Sequence, residues 1–197
     1  MSDEAVQITN VNVNSSDATS RTAPLSFIGY LKEDYNTHYR DWTLPGFRAI
    51  ATYRLGVWAN SQSGLRKKAA QFVYNFLRRY VRNIYGIEIF ATAKIGRRFH
   101  IGHQGGIVIH EYATIGNDCL VRQGVTFGAV LERDFVSNGP VVGDRVDVGA
   151  GAKIVGGVRI GDDVRIGPNA VVMTDIPANA TVFAPVSKIM PRARAAA

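Results

Sequence analysis

Between residues 87 and 172, large apolar residues return at every sixth position. The series runs Ile89, Ile95, Ile101 and Ile107, then after a slip of two residues Ile109, Ile115, Val121 and Phe127. Beyond an interruption it resumes as Val142, Val148, Ile154, Ile160, Ile166 and Val172. Glycine often follows directly, as in Ile95-Gly96, Ile115-Gly116 and Ile160-Gly161. Four positions after the apolar residue stands a small one or Val: Ala93, Ala113, Cys119, Val125, Ala152, Val158, Val164 and Ala170. A period of six fits neither a helix nor an alternating strand. It predicts a β-solenoid, in which each unit is one short strand plus a turn and three units complete a triangular coil. The segment 128–141, GAVLERDFVSNGPV, breaks the frame with charged and turn residues. It is expected to form a loop thrown out from one corner, where such loops line sites.

The pattern before the solenoid is helical. Over 65–84, Leu65, Ala69, Phe72, Val73, Phe76, Leu77, Tyr80, Val81 and Ile84 recur at three-and-four spacing, the signature of an amphipathic helix. A second helix is expected from Gly46 to about Ala59, with Pro45 near its start and Gly64 inside the following turn. Gly86 closes this zone. Residues 1–24, rich in Ser, Thr, Asn and Asp, read as a flexible arm. The expected organisation is arm 1–24, helical cap 25–86, solenoid 87–190 and tail 191–197.

Composition narrows the class. In 197 residues there is one cysteine, which excludes an internal disulfide framework and a multi-cysteine zinc site. No apolar run approaches the ~20 residues of a membrane span, and the first residues lack the basic start and apolar stretch of a signal peptide. A cytoplasmic protein is expected. The net charge of +7 is concentrated locally, with Arg66, Lys67, Lys68, Arg78, Arg79 and Arg82 in one segment. Helix 65–84 could therefore contact the inner face of the cell membrane, or its aromatics could pack on the solenoid or another subunit. No nucleic-acid motif is present.

The run IEIFATAKIGRRFHIGHQGGIVIHEYATIGNDCLVRQGVTFGA resembles the catalytic stretch of the hexapeptide-repeat serine acetyltransferases. The run VGAGAKIVGGVRIGDDVRIGPNAVV is similar to their carboxy-terminal coils. The resemblance implies a mainly β fold, a left-handed parallel β-helix preceded by a small α-helical region. It also implies a homotrimer that moves an acetyl group from acetyl-CoA to a hydroxyl without a metal. A non-catalytic trimeric scaffold is the alternative from another class.

Such chemistry needs a base for the hydroxyl proton, and histidine suits it because its pKa lies near neutral. His103, in IGHQGG, occupies the family's base position; His100 and His110 are the alternatives, read more simply as corner-lining imidazoles. Glu88 matches the acidic position that steadies the base, and Glu111 matches a second family glutamate. Cys119 fills a core slot. For the donor, Gly149, Ala150, Gly151, Gly167 and Pro168 offer small corners for the pantetheine arm, although coil turns need glycine anyway. Lys188 stands where the family places a cation near the CoA phosphates.

Two departures bear on the acceptor. Gly102 replaces the Asp that precedes the base in serine acetyltransferases, and the loop stretch SNGP lacks their second histidine. The helical lead-in is also short, and the chain ends RARAAA rather than in isoleucine. Those features point to a sugar hydroxyl of an exopolysaccharide or its precursor, as in acetyltransferases of the colanic acid type, with L-serine as the alternative acceptor.

Overall fold

The computed structural model describes residues 25–130 and 139–186. The expected arm over 1–24, Lys188 and the expected tail over 191–197 lie outside the described residues, as do residues 131–138 of the segment expected to form a loop.

Among the described residues, three helices precede the solenoid. Helix α1 (Phe27–Thr37) is capped by Ser26, whose hydroxyl accepts the Gly29 N–H at 3.2 Å, which satisfies one of the orphan amides of the first turn. Helix α2 (Pro45–Asn60) begins on proline, where a missing N–H costs no hydrogen bond. Helix α3 (Gly64–Tyr80) runs into a π turn, Val81–Tyr85, that ends on Gly86 at φ 62°. Gly64, expected within the turn, is the first residue of α3, preceded by an extended Ser63.

From Ile87 onward the described residues coil through three parallel sheets of five, four and five strands. On one face Ile89, Ile109, Phe127, Ile154 and Val172 stand in register. A second face aligns Ile95, Ile115, Val142 and Ile160. The third aligns Ile101, Val121, Val148 and Ile166. All of these are buried, as are the small residues at the corners, from Ala93 to Ala170. The six-residue period is thus the repeat of inward-facing positions, one per face.

The slip of two residues has a specific location. Ile87 pairs with Ile107, and both ends of the strand Ile107–Ile109 are buried. Ile101 pairs with Val121 but Val108 with Thr126, so the extra pair of residues falls between Ile101 and Val108. This enlarged corner carries His103. Gly105 and Gly106 turn it at φ 100° and 65°, in the region that side chains disfavour.

The first coil has no coil above it, so its backbone would present an unpaired edge. The helices cover it with side chains. Tyr53 donates to the Ala93 carbonyl at 2.8 Å and accepts the Ile95 N–H at 3.1 Å. Arg54 donates to the carbonyls of Ile95 and Gly96, at 2.8 and 2.6 Å, and is paired with buried Asp34 at 2.9 Å. His38 accepts the Ile101 N–H at 3.2 Å. At Gly46 a Cβ would lie 2.1 Å from the Ile101 carbonyl oxygen, so only glycine lets α2 approach this closely.

Candidate active site

Between the third face and the first, successive corners stack into one edge of the prism. Gly124 donates to the Gly105 carbonyl, Gly151 to Gln123, and Asn169 to Ala150, each at 2.8 Å. His103 lies at the top of this edge with its side chain exposed. Residues 149–151 and 167–168 occupy the same edge two and three coils further on. The structure therefore brings the expected base and the expected donor corners into one line.

The amides of those corners are already used. Gly149 donates to Ile166 at 2.7 Å, Gly151 to Gln123, and Gly167 to Val182 at 2.8 Å, while Pro168 has no N–H. The three glycines serve coil stacking first. At Gly149 a Cβ would come within 2.6 Å of the Pro168 nitrogen. What this part of the edge offers a ligand is low relief, with half-buried Ala150 and exposed Pro168 at its surface.

Glu88 sits on the outer side of the first strand, and its carboxylate accepts from Arg78 at 3.0 Å, with Arg82 at 3.9 Å. Gly86, two residues earlier, packs against the enlarged corner: a Cβ there would meet Gly105 and Gly106 at 3.2–3.3 Å. Glu88 and the His103 corner are therefore neighbours in the stacking. Glu111 is placed differently. It follows the strand Ile107–Ile109, at the corner between the first and second faces, on another edge of the same chain.

His110 shares that second edge, its ring 6.0 Å from Phe90 and 5.3 Å from Tyr112. Its Nδ1 is buried with no hydrogen-bond partner among the described residues. His100 is half-buried beside His38, with ring centroids 4.8 Å apart. Burial above all, then the proximity of His38, the Arg122 guanidinium and His103, holds its pKa below the usual histidine value. Cys119 is buried and its thiol is pushed up to about 11 by desolvation, which suits a core position and opposes thiolate chemistry.

Two features of this neighbourhood had no motif. Arg122 stands on the His103 edge one coil down and is paired with Asp147. The two are 25 residues apart, and only removal of the loop insertion reveals their register. His38, the histidine without a motif, proves to be a buried strut behind the same corner. Among the described residues no cluster of three or more His, Cys, Asp or Glu could hold a metal, and no helix is long and apolar enough to cross a membrane.

Comparison with known proteins adds identity to this geometry. A family model described as bacterial transferase hexapeptide (six repeats) matches residues 139–173. A serine acetyltransferase of Helicobacter pylori is 41% identical over 150 residues, spanning 76% of this chain and 84% of the relative. One from Mycobacterium tuberculosis is 38% identical over 138 residues, spanning 70% of this chain and 57% of that protein. Among solved structures, serine acetyltransferase isoform 3 of Entamoeba histolytica, in complex with cysteine, superposes with TM-score 0.67 at 29% identity. The match covers 84% of this chain and 62% of that one, so the chain spans less than two thirds of this neighbour. The serine acetyltransferase of Brucella abortus in complex with coenzyme A gives 0.68 at 26%, over 81% and 66%. The left-handed β-helix acetyltransferase class expected from the sequence is supported.

The sugar acceptor expected from the sequence is not supported. Relatives at 36–41% identity over at least 138 residues are serine acetyltransferases, as are the structural neighbours. The sugar reading rested on Gly102, on the SNGP stretch, on the short lead-in and on the RARAAA end. A hydroxyl acceptor is held by several contacts, and two substituted positions weigh less than a match along three quarters of the chain.

Proposed function

The chain belongs to the serine acetyltransferase family of hexapeptide transferases, and from that premise we propose that it transfers the acetyl group of acetyl-CoA to the hydroxyl of L-serine. The observation that supports this most is His103, exposed on the enlarged corner and in line with the low-relief edge below it.

In this reading neutral His103 takes the hydroxyl proton as the serine oxygen attacks the thioester carbonyl. The tetrahedral intermediate collapses, the carbon–sulfur bond breaks, and the imidazolium returns its proton to the leaving CoA thiolate. Glu88 is the positioning carboxylate, itself held by Arg78. The pantetheine arm lies along the edge over Ala150 and Pro168, and Lys188 meets the CoA phosphates as a point charge. The active assembly is a homotrimer in which Glu111 reaches the His103 edge of a neighbouring copy. The chemistry needs no metal.

The test is release of free thiol from acetyl-CoA with L-serine as the sole acceptor. The expected result is serine-dependent release that falls by about 10²–10⁴-fold in His103→Ala, the range for loss of a general base. The variant should retain its unfolding midpoint. Protein that binds CoA yet releases no thiol with serine would overturn the assignment.

A further inference from the structure

Between Gly64 and Ile87 the chain carries six cations and no acidic residue. Helix α3 turns Tyr74 and buried Ala70 inward. The Tyr74 ring packs so closely on α2 that a Cβ at Gly56 would lie 2.5 Å from it. With that face docked, the opposite face is fully presented. Leu65 is 82% exposed, Phe72 77% and Phe76 66%, and Val73, Tyr80 and Ile84 extend the same stripe. Phe72 and Phe76 therefore do not pack on the chain's own solenoid.

At 100° per residue, Leu65, Phe72 and Phe76 fall within a narrow arc. Lys68 and Arg79 flank it on one side and Arg66 on the other. An apolar cavity of about 610 Å³ opens between the helices beside this stripe, with Phe76 and Tyr80 in its wall and Arg48 among its lining residues.

We propose that this face binds the surface of an anionic lipid bilayer. The Leu/Phe stripe enters the boundary between headgroups and acyl chains, and the flanking Lys and Arg side chains meet lipid phosphates. An apolar stripe bordered on both sides by cations is the arrangement that lies in a membrane interface. Charge also argues against self-association through this surface. A second copy docked face to face would set the Arg66, Lys68 and Arg79 flanks against one another; Glu88 serves Arg78 and Arg82 instead, and helix α3 itself carries no carboxylate. The inference is independent of the acceptor and of His103.

The experiment is co-sedimentation of the full chain with vesicles of pure phosphatidylcholine and of phosphatidylcholine with one third phosphatidylglycerol. Wild type should pellet with the anionic vesicles only, and less as salt is raised. The double variants Phe72→Ser/Phe76→Ser and Lys68→Glu/Arg79→Glu should each weaken that binding by about tenfold or more, with unchanged helix content. Lack of phosphatidylglycerol-dependent pelleting by wild type would overturn the proposal. So would a drop in lipid-free sedimentation mass for Phe72→Ser/Phe76→Ser, since that result assigns the face to another copy of the chain.

Discussion

His38 shows how much one side chain can determine about an edge it does not belong to. It is fully buried, its Nδ1 lies 2.7 Å from the Asp34 carbonyl, and its Nε2 accepts the Ile101 amide. Only the neutral tautomer with the proton on Nδ1 satisfies both partners, because a proton on Nε2 would face an N–H. Burial correspondingly holds its pKa below the usual value. The unfolded chain then binds more protons than the folded one from the ordinary value of about 6.5 down to the depressed one. This stabilisation is present above about pH 6.5 and lost as pH falls through that window. His38→Gln keeps an acceptor for the Ile101 amide but cannot titrate. Its urea midpoint should fall less than wild type's on acidification, with His100 titrating in both proteins. Equal slopes in the two proteins would refute this account. His38→Leu should lose stability at every pH. None of this was legible in the sequence, where the two partners are 63 residues apart and no local pattern joins them. His103, by contrast, stands in a contiguous phrase, so its candidacy needed no long-range register.

The elements divide in the same way. Strand positions were readable because the solenoid repeats its local environment, so each apolar residue reports the same inward slot. Even the irregularity was visible as a slip of two residues, although its position at the His103 corner needed the strand register. How the helices attach was hidden, because edge coverage depends on single side chains crossing from α1 and α2 to the first coil. Arg54 is the central one. It is 5% exposed, paired with a completely buried Asp34, and it caps two carbonyls of the coil edge. Arg54→Met would keep much of the volume but strand the Asp34 carboxylate and the carbonyls. The expected loss is about 3–5 kcal/mol, the cost of breaking a buried pair by removing one partner. Denaturant unfolding measures it directly. Arg54→Met combined with Asp34→Leu should recover part of the loss, since it removes the stranded charge. A loss below about 1 kcal/mol, the range of exposed ion pairs, would mean that the cap does not depend on this pair.

At the scale of the whole molecule, the triangular coil separates groups that the sequence sets close together. His103 and Glu111 are eight residues apart in sequence yet stand on different edges of the prism, and the described ends of segment 128–141 lie at the Glu111 edge. Both can serve one site only if two copies contribute, as in the trimer proposed above. Mixed oligomers test this arrangement. When His103→Ala and Glu111→Gln chains are co-expressed and assemble at random, a site shared between copies finds both native residues in about one case in four. Activity should then rise well above that of either variant alone. If each site were built from a single chain, every mixed assembly would carry one lesion in every site, and activity would stay at the average of the two variants. Sedimentation of the wild type should give about three times the 21.5 kDa chain mass. A monomer with full activity would place the whole site on the His103 edge and remove Glu111 from it.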